Sequence, residues 1–331
     1  MNRLKPVGRC AQGLAALALA ASAGAHAQAP AVNQPGALNL GVTSFYDGFG
    51  PPPGLVWLPQ VRYTRMNSIK DANGNSVPVF NDPRISSFVV ANQFVYTLST
   101  QIGGWTPGFM GLIPVVHVGS SFGPGPALQG GGTGFGDVIA GVFLQSPPVM
   151  GEHGQPVFAQ RVELDFLLPT GRYSRSNDLN QSAGYASFNP YWAATLLPAP
   201  RWEMSWRLQY LYNFRNNKPA SGIPGGATLN GEPVRNTQAG QAASLNFAAS
   251  YAVTPELSLG LNGYYFKQFT DSKANGVGLA DSREQVLGIG PGMMLKFDKD
   301  KILWVNLYHE SMVRNRASAN LLLNVRMAIP F

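Results

Sequence analysis

The chain has 331 residues, of which only 12% are charged, and a formal net charge of +7. A soluble domain carries about 25% charged residues, and a helical membrane protein shows apolar runs of roughly 18 or more; neither feature occurs after residue 27. Few charges without long apolar runs is the balance of a transmembrane β-barrel, in which only alternate residues face lipid.

The N-terminus has the form of an export signal. Arg3, Lys5 and Arg9 precede an apolar stretch from Leu14 to Ala25, and Ala25-His26-Ala27 supplies an A-x-A cleavage site. The stretch is too short to span a bilayer as a helix, which needs about 20 residues. Cleavage after residue 27 removes three basic residues and no acid, lowering the net charge from +7 to +4. That weakens any nucleic-acid reading, and no basic stripe replaces the lost charge. Cys10 is the only cysteine, so the mature chain has no disulfide and no cysteine metal site.

Residues 28–55 differ in pattern from the rest of the mature chain. They contain Leu38-Asn39-Leu40-Gly41-Val42 and the Gly50-Pro51-Pro52-Pro53-Gly54 run. The segment is read as a lumenal or periplasmic plug, with an extra strand or a tail as alternatives.

Period-2 alternation between turn signals then predicts about 12 strands: 56–66, 85–99, 110–122, 135–145, 157–168, 185–197, 201–215, 240–253, 256–270, 284–297, 302–314 and 320–331. An even number suits a single-chain barrel. Short connections at Pro198-Ala199-Pro200, Thr254-Pro255 and 298–301, with looser ones at 100–109 and 146–156, alternate with longer ones at 67–84, 123–134, 169–184, 216–239 and 271–283; the last, near 315–319, is the short exception. The prediction is all-β: an antiparallel transmembrane β-barrel over 56–331, preceded by a signal peptide (1–27) and the 28–55 segment.

Strand 201–215 shows both faces. Trp202, Met204, Trp206, Leu208, Tyr210 and Tyr212 share one side, with Glu203, Ser205, Arg207 and Gln209 on the other and Leu211 as the exception. Trp202 and Tyr212 are spaced to sit in the two interfacial girdles. At the end of the chain Leu321, Leu323, Val325, Met327, Ile329 and Phe331 alternate with smaller or polar residues. A closing strand that ends on an aromatic residue is the signal expected for the barrel-assembly machinery of a Gram-negative outer membrane.

With the apolar face outward, the lumen receives Gln60, Arg62, Arg161, Glu163, Asp165, Glu203, Arg207 and Arg326. Each charge would cost about 2–4 kcal/mol on the lipid face at the midplane. These residues form either a selective constriction or a structural network filling the barrel. Phe135, Ile139 and Phe143, with Ile113 and Val115 on the neighbouring strand, are expected to give an apolar lumenal patch suited to hydrophobic solutes; packing against a plug is the alternative.

Enzyme signals are sparse, and neither a cofactor nor a metal site is expected. His117, His153 and His309 are scattered, and the glycine-rich 130–136 stretch runs into a strand rather than a helix. Asp71-Ala72-Asn73-Gly74-Asn75 is better read as a turn than as a calcium loop. His309 and Ser311 share the outward face of their strand, an arrangement used by an outer-membrane phospholipase, but no third group orients the histidine. The basic residues Arg172, Arg175, Lys218, Arg235, Lys273, Arg314 and Arg316 are placed at the long-loop end, where lipopolysaccharide phosphates are candidate partners and solvated loop charges are the alternative.

Several stretches resemble the "MetA-pathway of phenol degradation" family of outer-membrane proteins: Thr133-Gly134-Phe135-Gly136-Asp137-Val138, Leu168-Pro169-Thr170-Gly171-Arg172-Tyr173, Gly263-Tyr264-Tyr265, and Gly288-Ile289-Gly290-Pro291. Gln268, Asp271, Asn275-Gly276, Glu310 and Asn315-Arg316 continue the match. The resemblance implies an outer-membrane barrel associated with catabolism of aromatic compounds and their import; it carries over no catalytic residue. The expected function is therefore passive uptake of small hydrophobic or aromatic solutes. Arg62, Phe135, Phe143, Arg161, Glu163, Asp165, Glu203, Arg207 and Arg326 line the expected path. A closed structural barrel and a lipid hydrolase using His309 and Ser311 are the alternatives.

Overall fold

The structure, a computed structural model, describes residues 32–223, 226–298 and 300–331. The expected signal peptide lies outside the described residues. Strands β1 (Gly54–Ile69), β2 (Arg84–Thr97) and β3 (Thr106–Ser121) are followed by β4, which has two pieces, Gly132–Phe135 and Val138–Gln145. Then come β5 (Pro156–Leu168), β6 (Ser187–Ala199), β7 (Trp202–Asn213) and β8 (Ala242–Ala252). The last four are β9 (Leu257–Gln268), β10 (Gln285–Phe297), β11 (Lys301–Arg314) and β12 (Ala317–Pro330). Every strand pairs antiparallel with its chain neighbours, and β1 pairs with β12 from Val56–Pro330 to Ile69–Ala317. The result is a closed barrel of 12 strands with no free edge, the one sheet form that satisfies its backbone in lipid.

Alternation sets the two faces. Phe88, Val90 and Phe94 on β2, Leu164 and Phe166 on β5, and Met204 and Leu208 on β7 are exposed on the outside. Glu163, Asp165, Glu203, Arg207, Asn246, Asn306 and Asn324 are buried inside. Trp202 and Tyr251 pack at 5.1 Å at one end of the outer surface, and Tyr212 and Phe214 pack at 5.1 Å at the other.

Two face assignments made from the sequence are corrected. In β3 the inward set is Met110, Leu112, Pro114, Val116 and Val118, while Ile113 and Val115 are 46% and 38% exposed on the outer wall. In β4 the register against β3 slips by one residue between the pairs Leu112–Ile139 and Val115–Phe135. A one-residue slip turns every side chain beyond it to the opposite face. Ile139 and Phe143 therefore point inward, whereas Phe135 is 64% exposed on the outside and does not line the lumen.

The stretches 133–138 and 168–173 hold the slip in place. Asp137 accepts hydrogen bonds from Gly171 N (3.2 Å) and Ala183 N (2.8 Å). Thr170 accepts from Val138 N (3.0 Å), and Arg172 donates from its backbone to Phe135 O and from Nη1 to Thr133 O, both 2.8 Å. A Cβ on Gly171 would lie 2.6 Å from the Gly136 carbonyl carbon, so only glycine allows this approach.

Candidate functional site

Residues 32–53 form no strand, yet between Leu38 and Gly48 most of the segment is buried and its backbone polar groups need partners. Inward-facing side chains of the barrel supply them. Tyr185 OH donates to Asn33 O (2.6 Å), and the segment's own Gln34 side chain adds bonds from Nε2 to Gly240 O and Gln268 Oε1, both 2.8 Å. Asn246 accepts from Gly41 N (3.1 Å) and donates to Asn39 O (2.9 Å), while Asn324 donates to Gly41 O (2.7 Å). Glu203 accepts from Tyr46 N, and Thr195 accepts from Gly48 N, both at 2.9 Å. Gly48 runs hard against the wall: a Cβ there would lie 2.3 Å from Thr195 N.

Apolar contacts complete the grip. Leu38 and Leu40 join Leu211, Tyr264, Phe266, Tyr308 and Leu322 in one cluster, and fully buried Phe45 packs with Ala248, Met294 and Trp304. Leu211, the exception on the polar face of its strand, is explained by this cluster.

Asp47 is the only charged residue between 28 and 55. It receives a bidentate pair from Arg207, Nε to Oδ2 at 2.8 Å and Nη2 to Oδ1 at 2.7 Å, and Arg161 stands 3.9 Å away. Fork-to-carboxylate geometry of this kind is strong and directional. Arg161 also pairs with Glu163 at 3.3 Å, and Tyr191 OH donates to Glu163. The Arg207 guanidinium lies 4.0 Å over the Tyr191 ring.

The segment divides the lumen. Between it and β1–β4 lies a cavity of about 820 Å³. Of the residues predicted to line the path, Arg62, Arg161, Asp165, Arg207 and Arg326 border this cavity. Glu163 and Glu203 point inward and are held by the wall: Glu203 through both oxygens, Glu163 through Oε2 alone. Phe143 is buried, its ring pressed on Gly108 with the Arg161 guanidinium 5.6 Å above it. The apolar side of the cavity comes from Val89, Ala91, Leu112, Pro114, Val116 and Ile139. Leu112, Pro114 and Val116 were missed because the face of β3 was read in the opposite phase.

A second cavity of about 300 Å³ lies at the long-loop end, and Gly36, Val118, Asn180 and Gln181 border both spaces. Glu284 marks its floor, accepting from Gln34 N (2.9 Å) with Arg316 at 3.7 Å. Burial pushes the Glu284 carboxyl above its ordinary range, opposed by Arg316 and the Gln34 N–H.

Asp47, Tyr191, Asn246 and Glu284 were not selected from the sequence. Only Asp47 carried a usable signal, as the single charge in a segment facing an arginine-rich barrel. His309 and Ser311 are bonded to different strands, His309 Nδ1 to Asn320 O (3.4 Å) and Ser311 Oγ to Leu287 O (3.5 Å).

The family described as "Putative MetA-pathway of phenol degradation" matches residues 66–327, most of the chain. The chain belongs to this family. Among solved structures, an outer membrane channel from Pseudomonas putida F1 superposes with a TM-score of 0.73 at 18% identity, covering 87% of this chain and 100% of that one. At that identity the likeness establishes the family member's fold. The β domain of the Bordetella autotransporter BrkA gives a TM-score of 0.45 at 13% identity, with 84% and 100% covered. The TodX monoaromatic hydrocarbon channel gives 0.44 at 10% identity, with 85% and 91% covered. No curated protein matches the sequence. This family member is a closed outer-membrane β-barrel with an apolar outer wall.

Proposed function

We propose that this barrel is a passive conduit for small hydrophobic or aromatic solutes across the outer membrane, with residues 32–53 acting as its plug. The observation that carries the reading is the cavity of about 820 Å³ between that segment and an apolar inner wall. A general water-filled porin has a polar interior; here Val89, Leu112, Pro114 and Val116 present aliphatic surface to the path, which favours transfer of apolar solutes from water. The family's pathway context and the channel from Pseudomonas putida F1 support the same reading. Arg161, Arg207 and Asp47 hold the plug, and its release would widen the passage.

Two partner roles accompany this. The strand ending at Phe331 serves recognition by the assembly machinery, and loop cations including Arg175, Lys218 and Lys273 meet lipopolysaccharide phosphates. The test of the conduit is uptake of phenol into liposomes containing the refolded mature protein, beside a variant lacking residues 28–55. Uptake above protein-free liposomes, faster in the truncated form, is the expected result. Absence of uptake in both, with each variant folded, would leave a closed structural barrel.

A further inference from the structure

The arginines bordering the cavity are not equivalent. Arg161 and Arg207 are committed to Glu163 and Asp47. Among the described residues, no carboxylate oxygen comes within 4.0 Å of the guanidinium of Arg62 or Arg326. Glu310, on the β11 wall, is fully engaged: Tyr264 OH donates to one oxygen at 2.7 Å and Ala319 N to the other at 2.6 Å. Arg326 rests over the Trp304 ring at 4.5 Å, and its Nε is buried without a hydrogen-bond partner. Arginine stays protonated whatever its surroundings, so both positions hold a fixed charge beside the cavity.

The sheet register sets these charges beside the apolar wall. Arg62 lies between Asn324 on β12 and Val89 on β2, with Val116 next on β3. One step nearer the N-terminal end of β1, Arg326 is followed by Gln60, Ala91 and Pro114. Neighbouring strands are about 4.8 Å apart. Each row therefore begins with a guanidinium or its polar neighbour and continues into aliphatic surface over two strands.

We infer that the cavity is a binding site for amphipathic monocarboxylates, with the carboxylate on the guanidinium of Arg62 or of Arg326 and an aromatic or aliphatic body against Val89, Leu112, Pro114 and Val116. A guanidinium fork recognises carboxylate geometry, and the aliphatic wall distinguishes such an acid from an inorganic anion. The inference rests on the conduit reading only in taking the ligand as a permeant; the site can be tested without transport.

Calorimetric titration of the full mature barrel in nanodiscs with benzoate and with benzyl alcohol, its neutral counterpart, tests the site. Benzoate should bind at least roughly tenfold more tightly, as expected for a hydrogen bond to a charged group. Arg62→Gln with Arg326→Gln should bring that ratio close to one, the Arg62→Lys, Arg326→Lys pair should keep part of it, and exposed Arg84→Gln should leave it alone. Heat-shifted gel migration identifies folded variants; if the glutamine pair fails to fold, the lysine pair and the wild-type ratio decide. Equal binding of the two probes by the wild type, or displacement of benzoate by inorganic phosphate at equal concentration, would overturn the inference. Flux of both probes in liposomes separates the two claims. Benzoate binding without flux of either solute keeps the site and removes the conduit, whereas flux of benzyl alcohol without benzoate preference does the reverse.

Discussion

The two sides of the lumen use inward side chains in opposite ways. On β6–β9 most are polar, including Asn189, Thr195, Glu203, Arg207, Gln209 and Asn246, and they are buried, many of them against residues 32–53 or against one another. On β1–β4 they are largely aliphatic and border open space. Polar residues inside a barrel suggest a wet channel, yet here they replace the strand ladder for a segment without secondary structure. The open space lies along the greasy side. The cavity-bordering arginines without a carboxylate within 4.0 Å, Arg62 and Arg326, belong to β1 and β12, where the two sides meet.

The contrast breaks most severely at Asp47. Asp47→Ala leaves Arg207 without its bidentate partner, and removing one member of a buried pair costs about 3–5 kcal/mol. The segment should detach, phenol flux should rise severalfold, and the amides of Tyr46 and Gly48 should lose protection in hydrogen exchange. Unchanged flux and exchange would show that the pair is not what holds the plug. On the opposite wall, Leu112→Lys places a cation in the aliphatic patch while leaving the plug contacts alone. Phenol flux should drop by roughly tenfold without any change in the exchange of Tyr46 and Gly48. If both variants alter flux and exchange together, the two sides do not act separately.

A smaller effect is expected where β4 slips register. Gly171→Ala pushes a methyl against the Gly136 backbone and should cost about 1–3 kcal/mol, read as a lower thermal midpoint. The smallest concerns Glu284, whose carboxyl burial raises above its ordinary value. A raised folded value means that its contribution to stability is full below the unfolded pKa of about 4.3 and is lost as pH rises through the folded one. The wild-type midpoint should therefore decline slightly relative to Glu284→Gln between pH 4 and pH 7. Parallel pH profiles would argue against that assignment.

Much of the barrel was legible because alternation is local. The strand at 201–215 displays its lipid face as Trp202, Met204, Leu208 and Tyr210, and Arg161, Glu163, Asp165, Glu203, Arg207 and Arg326 do point inward. Reading failed where the period offers no contrast. In β3 Ile113, Val115, Leu112 and Val116 are all aliphatic, so neither phase is preferred on composition. In β4 the slip at Gly136–Asp137 reversed Phe135 after a run that looked regular. Facing the interior is also not the same as being open to it: Glu203 is held by Tyr46 N and Ser250, and Glu163 by Arg161 and Tyr191.

The sequence by itself determined the closed barrel, its number of strands and the sense of most of its faces, because lipid forces a period of two on each strand independently. The tertiary structure decided the rest. Which charges are free depends on contacts between residues far apart in the chain, as with Asp47 and Arg207, and pairing of that kind leaves no periodic trace. The same holds for the cavity, which is the space left once an irregular segment has taken the polar side of the lumen.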